Sequence, residues 1–253
     1  GACRPFFYSL SKEINMNVML RGAVAAVFVL FSSLSAASPV TLTGANRYVV
    51  ISDAANPAGV YGPNSPSALD GSFNDSVGIS SGPYNIPVSS SQKSNIDAAG
   101  GVFSGSGEVS VGFSVQAADQ VVSQSYFIAD FIAPTAMQYS LRGSLGSFMD
   151  GGLGIGQIFL IDTSSLSAVF NHFTPGTWDT LVLNETGVLA AGASRLAALA
   201  RIAPDPASGT GAYYGGTVEY DFQFNVTAVP EPGSWALLLA GLGLLGFAAR
   251  RRA

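Results

Sequence analysis

The chain has 253 residues, with 11 basic and 16 acidic side chains, a formal charge of −5, one histidine and one cysteine. Nucleic-acid binding needs basic surface to release counterions from phosphate, and this balance excludes it; an anionic membrane surface is an equally poor partner. One histidine and one cysteine leave too few nitrogen and sulfur ligands for a zinc centre and no pair for a disulfide.

At the N-terminal end, Arg21 precedes the apolar run Gly22 to Phe31, and the small residues Ser32 to Ser38 follow. Ser35 and Ala37 suit the −3 and −1 pockets of signal peptidase, so the expected cleavage point is after Ala37 and residues 1–37 are read as upstream residues plus a signal peptide. The other reading is an uncut N-terminal anchor, for which the run is short and ends in a cleavage-like patch. Residues before Met16 or Met19 fit neither a leader nor a fold and are read as an upstream start or a fragment boundary. Cys3 precedes the apolar run, so it is no lipoprotein anchor. The segment from residue 38 to 228 then forms one exported domain without cysteine. Its five basic and fourteen acidic side chains leave a charge of −9. It must hold together by core packing alone.

Along that domain the apolar residues recur with the period of two that puts one set on a single face of a strand. In chain order the expected strands lie around Tyr48–Ile51, Val109–Val115, Tyr126–Ile132, Met137–Leu141, Ile158–Ile161, Trp178–Leu183 and Thr217–Thr227. The last is the clearest: Val218, Tyr220, Phe222, Phe224 and Val226 alternate with Glu219, Asp221, Gln223, Asn225 and Thr227. Asn56 to Ser94, rich in Pro, Gly, Ser and Asn, is read as long loops with at most short strands around Val77–Ile79 and Ile86–Val88. Turns are expected at Gly100-Gly101, Gly105-Ser106-Gly107, Asp150-Gly151-Gly152, Pro175-Gly176 and Ser208-Gly209-Thr210-Gly211. Gly187 to Ala203 has high helix propensity, with Leu196, Leu199 and Ile202 at helical spacing, but also reads as a turn followed by a strand. Many short strands with such punctuation, and no long amphipathic helix or fixed repeat, predict an all-β fold. Its expected form is an antiparallel β-sandwich, jelly-roll-like.

Candidate chemistry is sparse. His172 would have to serve any Ser-His-Asp triad, yet no G-x-S-x-G elbow occurs, and its neighbours suggest a loop or strand end. Glu219 and Asp221 share one strand face, as a glycosidase pair might, although solvated strand faces carry such residues routinely. Asp70-Gly71-Ser72-Phe73-Asn74-Asp75 gathers oxygen ligands that would suit Ca²⁺ but lacks EF-hand spacing, and Asx residues in loops commonly cap turns. Trp178, Tyr213 and Tyr214 would stack on sugar rings if exposed. Gly151 to Gly156 is read as a flexible turn. No catalytic, cofactor or metal residue is assigned.

The last two dozen residues carry the strongest pattern. Val229-Pro230-Glu231-Pro232-Gly233 leads into the uncharged run Ser234 to Ala249, which ends at Arg250-Arg251-Arg252. As a helix this run would be roughly 24 Å long, just short of a hydrocarbon core, and the arginines behind it form a cytoplasmic stop. Its Gly241-x-Gly243-x-x-Gly246 lacks the strand and βαβ frame of a nucleotide fingerprint. The order of motif, apolar span and basic cluster resembles the PEP-CTERM sorting signal of exported Gram-negative proteins. By that resemblance Pro230, Glu231 and Pro232 form the recognition motif and residues 229–253 a removable membrane anchor. Arg250, Arg251 and Arg252 form the membrane stop, and exosortase is the processing partner alongside signal peptidase. The resemblance implies a non-enzymatic surface or exopolysaccharide-matrix protein. A carbohydrate-binding module, and behind it a polysaccharide hydrolase, are the alternatives.

Overall fold

The computed structural model describes residues 39–52, 70–81, 86–116, 121–175, 178–205, 213–229, 239–244, 246–247 and 250. The apolar run at residues 22–31, the cleavage point at Ala37, the turn at Ser208–Gly211, the motif Pro230–Pro232, and Arg251 and Arg252 lie outside them. The chain divides into two units, Gly1–Ala37 and Ser38–Ala253, and all described residues belong to the second.

Among the described residues eleven strands run in chain order: β1 (Thr41–Ser52), β2 (Gly71–Ser81), β3 (Ile86–Asp97), β4 (Val102–Gln116), β5 (Val122–Ala133), β6 (Met137–Asp150), β7 (Leu153–Asp162), β8 (Ser167–Pro175), β9 (Asp179–Leu189), β10 (Gly192–Ala203) and β11 (Tyr213–Ala228). They form two antiparallel sheets, sheet A in the order β1-β5-β10-β7-β8 and sheet B in the order β2-β3-β4-β11-β6-β9. The all-β sandwich expected from the sequence is the fold observed. From β4 onward the chain behaves as one long hairpin wound across both sheets. β4 pairs with β11, β5 with β10, β6 with β9 and β7 with β8.

Alternation explains why these segments are strands. On β11, Val218, Tyr220, Phe222, Phe224 and Val226 are buried while Glu219, Asp221 and Gln223 face solvent. The buried set meets its counterpart from sheet A. Phe127 packs edge-on against Phe222 at 5.0 Å, and Phe131 lies 5.1 Å from Phe103 and 6.4 Å from Phe224. Tyr139 and Phe170 close the cluster on the other side of Phe224. Burial of apolar area on this scale, at roughly 25 cal/mol per Å², is what holds a cysteine-free domain together.

The structure corrects several expectations. Much of the segment read as loops is a full hairpin of β2 and β3. The sequence shows only a short stretch of each strand, around Val77–Ile79 and Ile86–Val88, because Ser90, Gln92 and Ser94 take inward positions of β3, where it comes very close to β5. Ser90 Oγ donates to the Gln124 carbonyl at 2.6 Å, and Ser123 and Ser125 donate to the carbonyls of Ser89 and Ser91 at 2.9 Å. Side chains this short reach the backbone of the opposite sheet only where the sheets pinch well inside their usual ~10 Å separation. Gly105-Ser106-Gly107 is not a turn but the middle of β4. Gly107 sits under the Tyr220 ring, where a Cβ would collide. Gly151 and Gly152 do form a turn, with φ of 69° and 70°, yet Gly154 and Gly156 belong to β7. At Gly187–Ala203 the strand alternative holds. β9 ends at Leu189, Gly192 adopts φ 137°, and β10 becomes the middle strand of sheet A. Leu196 and Ile202 enter the core and Leu199 points the other way, as a period of two requires.

The four edge strands share a device. Each carries a polar or charged residue on its core-facing side: Arg47 on β1, Asp75 on β2, His172 on β8 and Glu185 on β9. Inward charges on edges oppose pairing with foreign strands. These four edges are also clasped from sheet to sheet in two pairs, β1 with β2 and β8 with β9. Arg47, fully buried, donates to the Gly71 carbonyl at 2.7 Å and lies over the Phe73 ring. At the far edge, His172 Nε2 meets Glu185 Oε2 at 2.5 Å.

Candidate functional site

The outer face of sheet B is the more polar of the two sheet surfaces, because the outward positions of β2, β3, β4 and β11 are mostly Ser, Asn, Gln, Asp and Glu. Register brings specific side chains together. Glu219 on β11 stands directly opposite Glu108 on β4; Asp221 stands opposite Ser106, and Ser106 opposite Lys93. These residues, with Asn74 and Ser144, line an open groove of about 280 Å³. Like charges directly across a strand pair are destabilising, so Glu108–Glu219 is tolerated only because both are exposed to water.

An aromatic pair borders the same face. Trp178 is 68% exposed and its indole meets the Phe148 ring edge-on at 6.3 Å. Gly146 joins this pair to the carboxylates, since a Cβ there would lie 2.9 Å from Glu219 Oε1 and 3.1 Å from Phe148 Cε2. Trp178 also has φ +59°, a left-handed conformation that costs a non-glycine residue about 1–2 kcal/mol. A large apolar side chain held in strained backbone and facing solvent contributes little to stability, and such outliers concentrate where ligands are met.

The other candidates fall apart from one another. Tyr213 is 55% exposed, whereas Tyr214 is buried and donates to the Val121 carbonyl at 2.7 Å. Asp70 and Asp75 do not share a loop, since β2 begins at Gly71. Asp75 Oδ1 accepts from the Ser76 amide at 2.7 Å and Asp70 Oδ1 from the Ala98 amide at 3.4 Å. Among the described residues no three His, Cys, Asp or Glu side chains converge on a metal position. His172 lies within β8 rather than in a loop, stacked on Phe170 at 5.7 Å. Its partner Glu185 also accepts from the Tyr139 hydroxyl at 3.1 Å. Burial first, and the Glu185 carboxylate second, push the Tyr139 hydroxyl up to about 12. The sequence singled out His172 but not its partners, because Glu185 lies thirteen residues away on another strand. Glu108 was equally hidden, and only strand register sets it opposite Glu219.

At the C-terminal end, residues 239–244, 246, 247 and 250 are helical, and Arg250 is exposed. Among the described residues no helix is long and apolar enough to cross a membrane. β11 ends at Ala228, paired with Met137, so the sorting segment begins directly after a central strand.

Comparison with known proteins gives one specific match. Residues 228–252 fit the family model of the PEP-CTERM protein-sorting motif, and the chain carries that motif. No curated protein is detectably similar in sequence. Among solved structures, the enzymatically active domain of bacteriophage CBA120 tailspike protein 4 aligns at 13% identity and TM-score 0.27, over 61% of this chain and 19% of that one. This chain thus spans about a fifth of that protein. The N-terminal cellulose-binding domain of Cellulomonas fimi β-1,4-glucanase C aligns at 12% identity and TM-score 0.26, over 62% of this chain and 90% of that one. TM-scores this low establish neither a shared fold nor a shared activity.

Proposed function

We propose that this chain is an exported, non-enzymatic surface or extracellular-matrix protein, delivered by its C-terminal sorting signal and released from it by exosortase. The observation that carries the reading is the matched motif at residues 228–252, which starts where the last strand of the sandwich ends. Removal of everything after Ala228 takes away no strand among the described residues, so the processed domain keeps its two sheets. On this reading the leader is cut after Ala37 by signal peptidase, and residues 234–249 act as a transient anchor with Arg250, Arg251 and Arg252 inside. The winding of β4 to β11 is that of a jelly roll, a scaffold that hosts many unrelated functions, so it argues for no activity by itself. The test is fractionation of tagged chain against a variant with Pro230, Glu231 and Pro232 replaced by alanine. Unprocessed protein should accumulate in the membrane fraction; identical processing and distribution of the two would refute the sorting role.

A second reading, carbohydrate binding by the sandwich, is favoured by Trp178. Its exposed indole packs on Phe148, which lies across Gly146 from Glu219, and offers an apolar ring face on the same sheet surface as the groove's hydrogen-bonding groups, the combination that a sugar ring requires. Trp178→Ala should abolish retardation of the protein in gels containing matrix polysaccharide and leave its thermal unfolding unchanged. Equal retardation of both proteins would remove this reading. The groove's carboxylates stand side by side on an open sheet face rather than across a cleft, which keeps the hydrolase alternative third.

A further inference from the structure

The outer face of sheet A contrasts with that of sheet B. An antiparallel sheet with one solvated face shows apolar-in, polar-out alternation, whereas continuous apolar runs belong to sheets covered on both faces. β5 is of the second kind: Phe127, Ala129 and Phe131 enter the core, while Tyr126, Ile128 and Ile132 point out of it. Register extends this outward set across the sheet, with Tyr48 and Leu199 on either side of Tyr126 and Phe159 beyond Ala197. Phe173 and Ile132 at the margins are 52% and 42% exposed.

We propose that this face docks a second copy of the chain, sheet A against sheet A about a twofold axis. Size argues for it. Five strands about 4.8 Å apart and some nine residues long give a face of roughly 700 Å², close to the ~800 Å² per partner of a stable interface. Two sheets of the same natural twist pack face to face at about −30° without reshaping.

Charge argues for a like partner. The outer face of sheet B holds Asp97, Glu108, Glu219 and Asp221 against Lys93 and Arg142, a net negative face on an already acidic domain, so two such faces repel. The charged groups that the outer face of sheet A presents among its described residues are Asp130, Arg195 and Arg201. Asp130 and Arg195 neutralise one another in a two-pronged pair, 2.7 and 3.1 Å long. Residues 53–69, which join β1 to β2, carry only Val60, Tyr61 and Leu69 as large apolar side chains, too few to match this face. Isologous contact places the middle strand, β10, beside its own counterpart.

The test uses the full chain in its exporting cell, with Cys3→Ser so that an introduced cysteine is the only thiol. Ala193→Cys and Leu199→Cys on β10 should each give a disulfide-linked dimer on a non-reducing gel after mild oxidation, and Ser106→Cys on sheet B should not. Adding Phe159→Glu should abolish the dimer while the circular dichroism of the purified protein stays that of a β-sheet. Mass spectrometry of the linked peptides should find the same peptide on both sides. No cross-link at either β10 position, a cross-link to a different protein, or equal dimer from Ser106→Cys would each overturn the proposal.

Discussion

Phe224→Ala is expected to lower the unfolding free energy of the sandwich by about 3–5 kcal/mol, the range for truncating a fully buried phenylalanine. Phe224 is completely buried and lies within 6.4 Å, ring to ring, of Phe103, Phe131, Tyr139 and Phe170. Those neighbours come from both sheets, and all sit on strands pinned by their own hydrogen-bond ladders. Collapse into the vacated space would therefore require two sheets to move, so most of the cavity term should survive. The preceding residue supplies the control. Gln223 faces solvent, and Gln223→Ala should stay within about 0.5 kcal/mol of the parent. Urea unfolding of the two variants measures the difference. Equal midpoints would mean that the aromatic cluster does not join the sheets.

What the sequence revealed followed the strength of its alternation. β11 could be read residue by residue because five large apolar side chains alternate with five polar ones. β10 was divided between helix and strand, since Ala and Leu serve both, and only its place between β5 and β7 decides the matter. β2 and β3 were legible only as short strands around Val77–Ile79 and Ile86–Val88, because Ser90, Gln92 and Ser94 at inward positions of β3 and the exposed serines of β2 look like loop composition. They pack because β5 brings matching serines and the sheets approach closely enough for hydroxyls to reach opposing carbonyls. The glycines at 105 and 107 misled for a related reason, being small to make room for the rings of Phe222 and Tyr220 rather than to turn the chain. The groove was half legible. Glu219 and Asp221 follow from the period of two, but Glu108 and Lys93 come from other strands and join them only through register. Trp178 was recognised as an aromatic, while its left-handed backbone, which gives its exposure meaning, has no sequence signature.

Loss of the Glu185 carboxylate tests the clasp at the β8–β9 edge. Glu185→Ala is expected to cost about 1–3 kcal/mol, because it strips the acceptor from the nearly buried Tyr139 hydroxyl and leaves His172 unpaired at once. Tyr139→Phe removes only the donor and should cost about 0.5–1.5 kcal/mol. The two variants should also part on the alkaline side. With its hydroxyl raised from 10 to about 12, Tyr139 holds its proton more tightly in the folded protein than in the unfolded chain. Its contribution is therefore complete below pH 10 and is lost between pH 10 and pH 12, as the unfolded chain ionises first. Tyr139→Phe should flatten that part of the stability profile. Glu185→Ala should move the loss to lower pH, since the carboxylate helps to hold the tyrosine protonated. Tyr220 and Tyr48, both raised chiefly by burial, remain in both variants and contribute the residual slope. Unfolding midpoints measured from pH 8 to pH 12 decide the point. Identical alkaline profiles for the parent and Tyr139→Phe would show that the hydroxyl is not held as described, and that the edge is closed by packing on Phe170 alone.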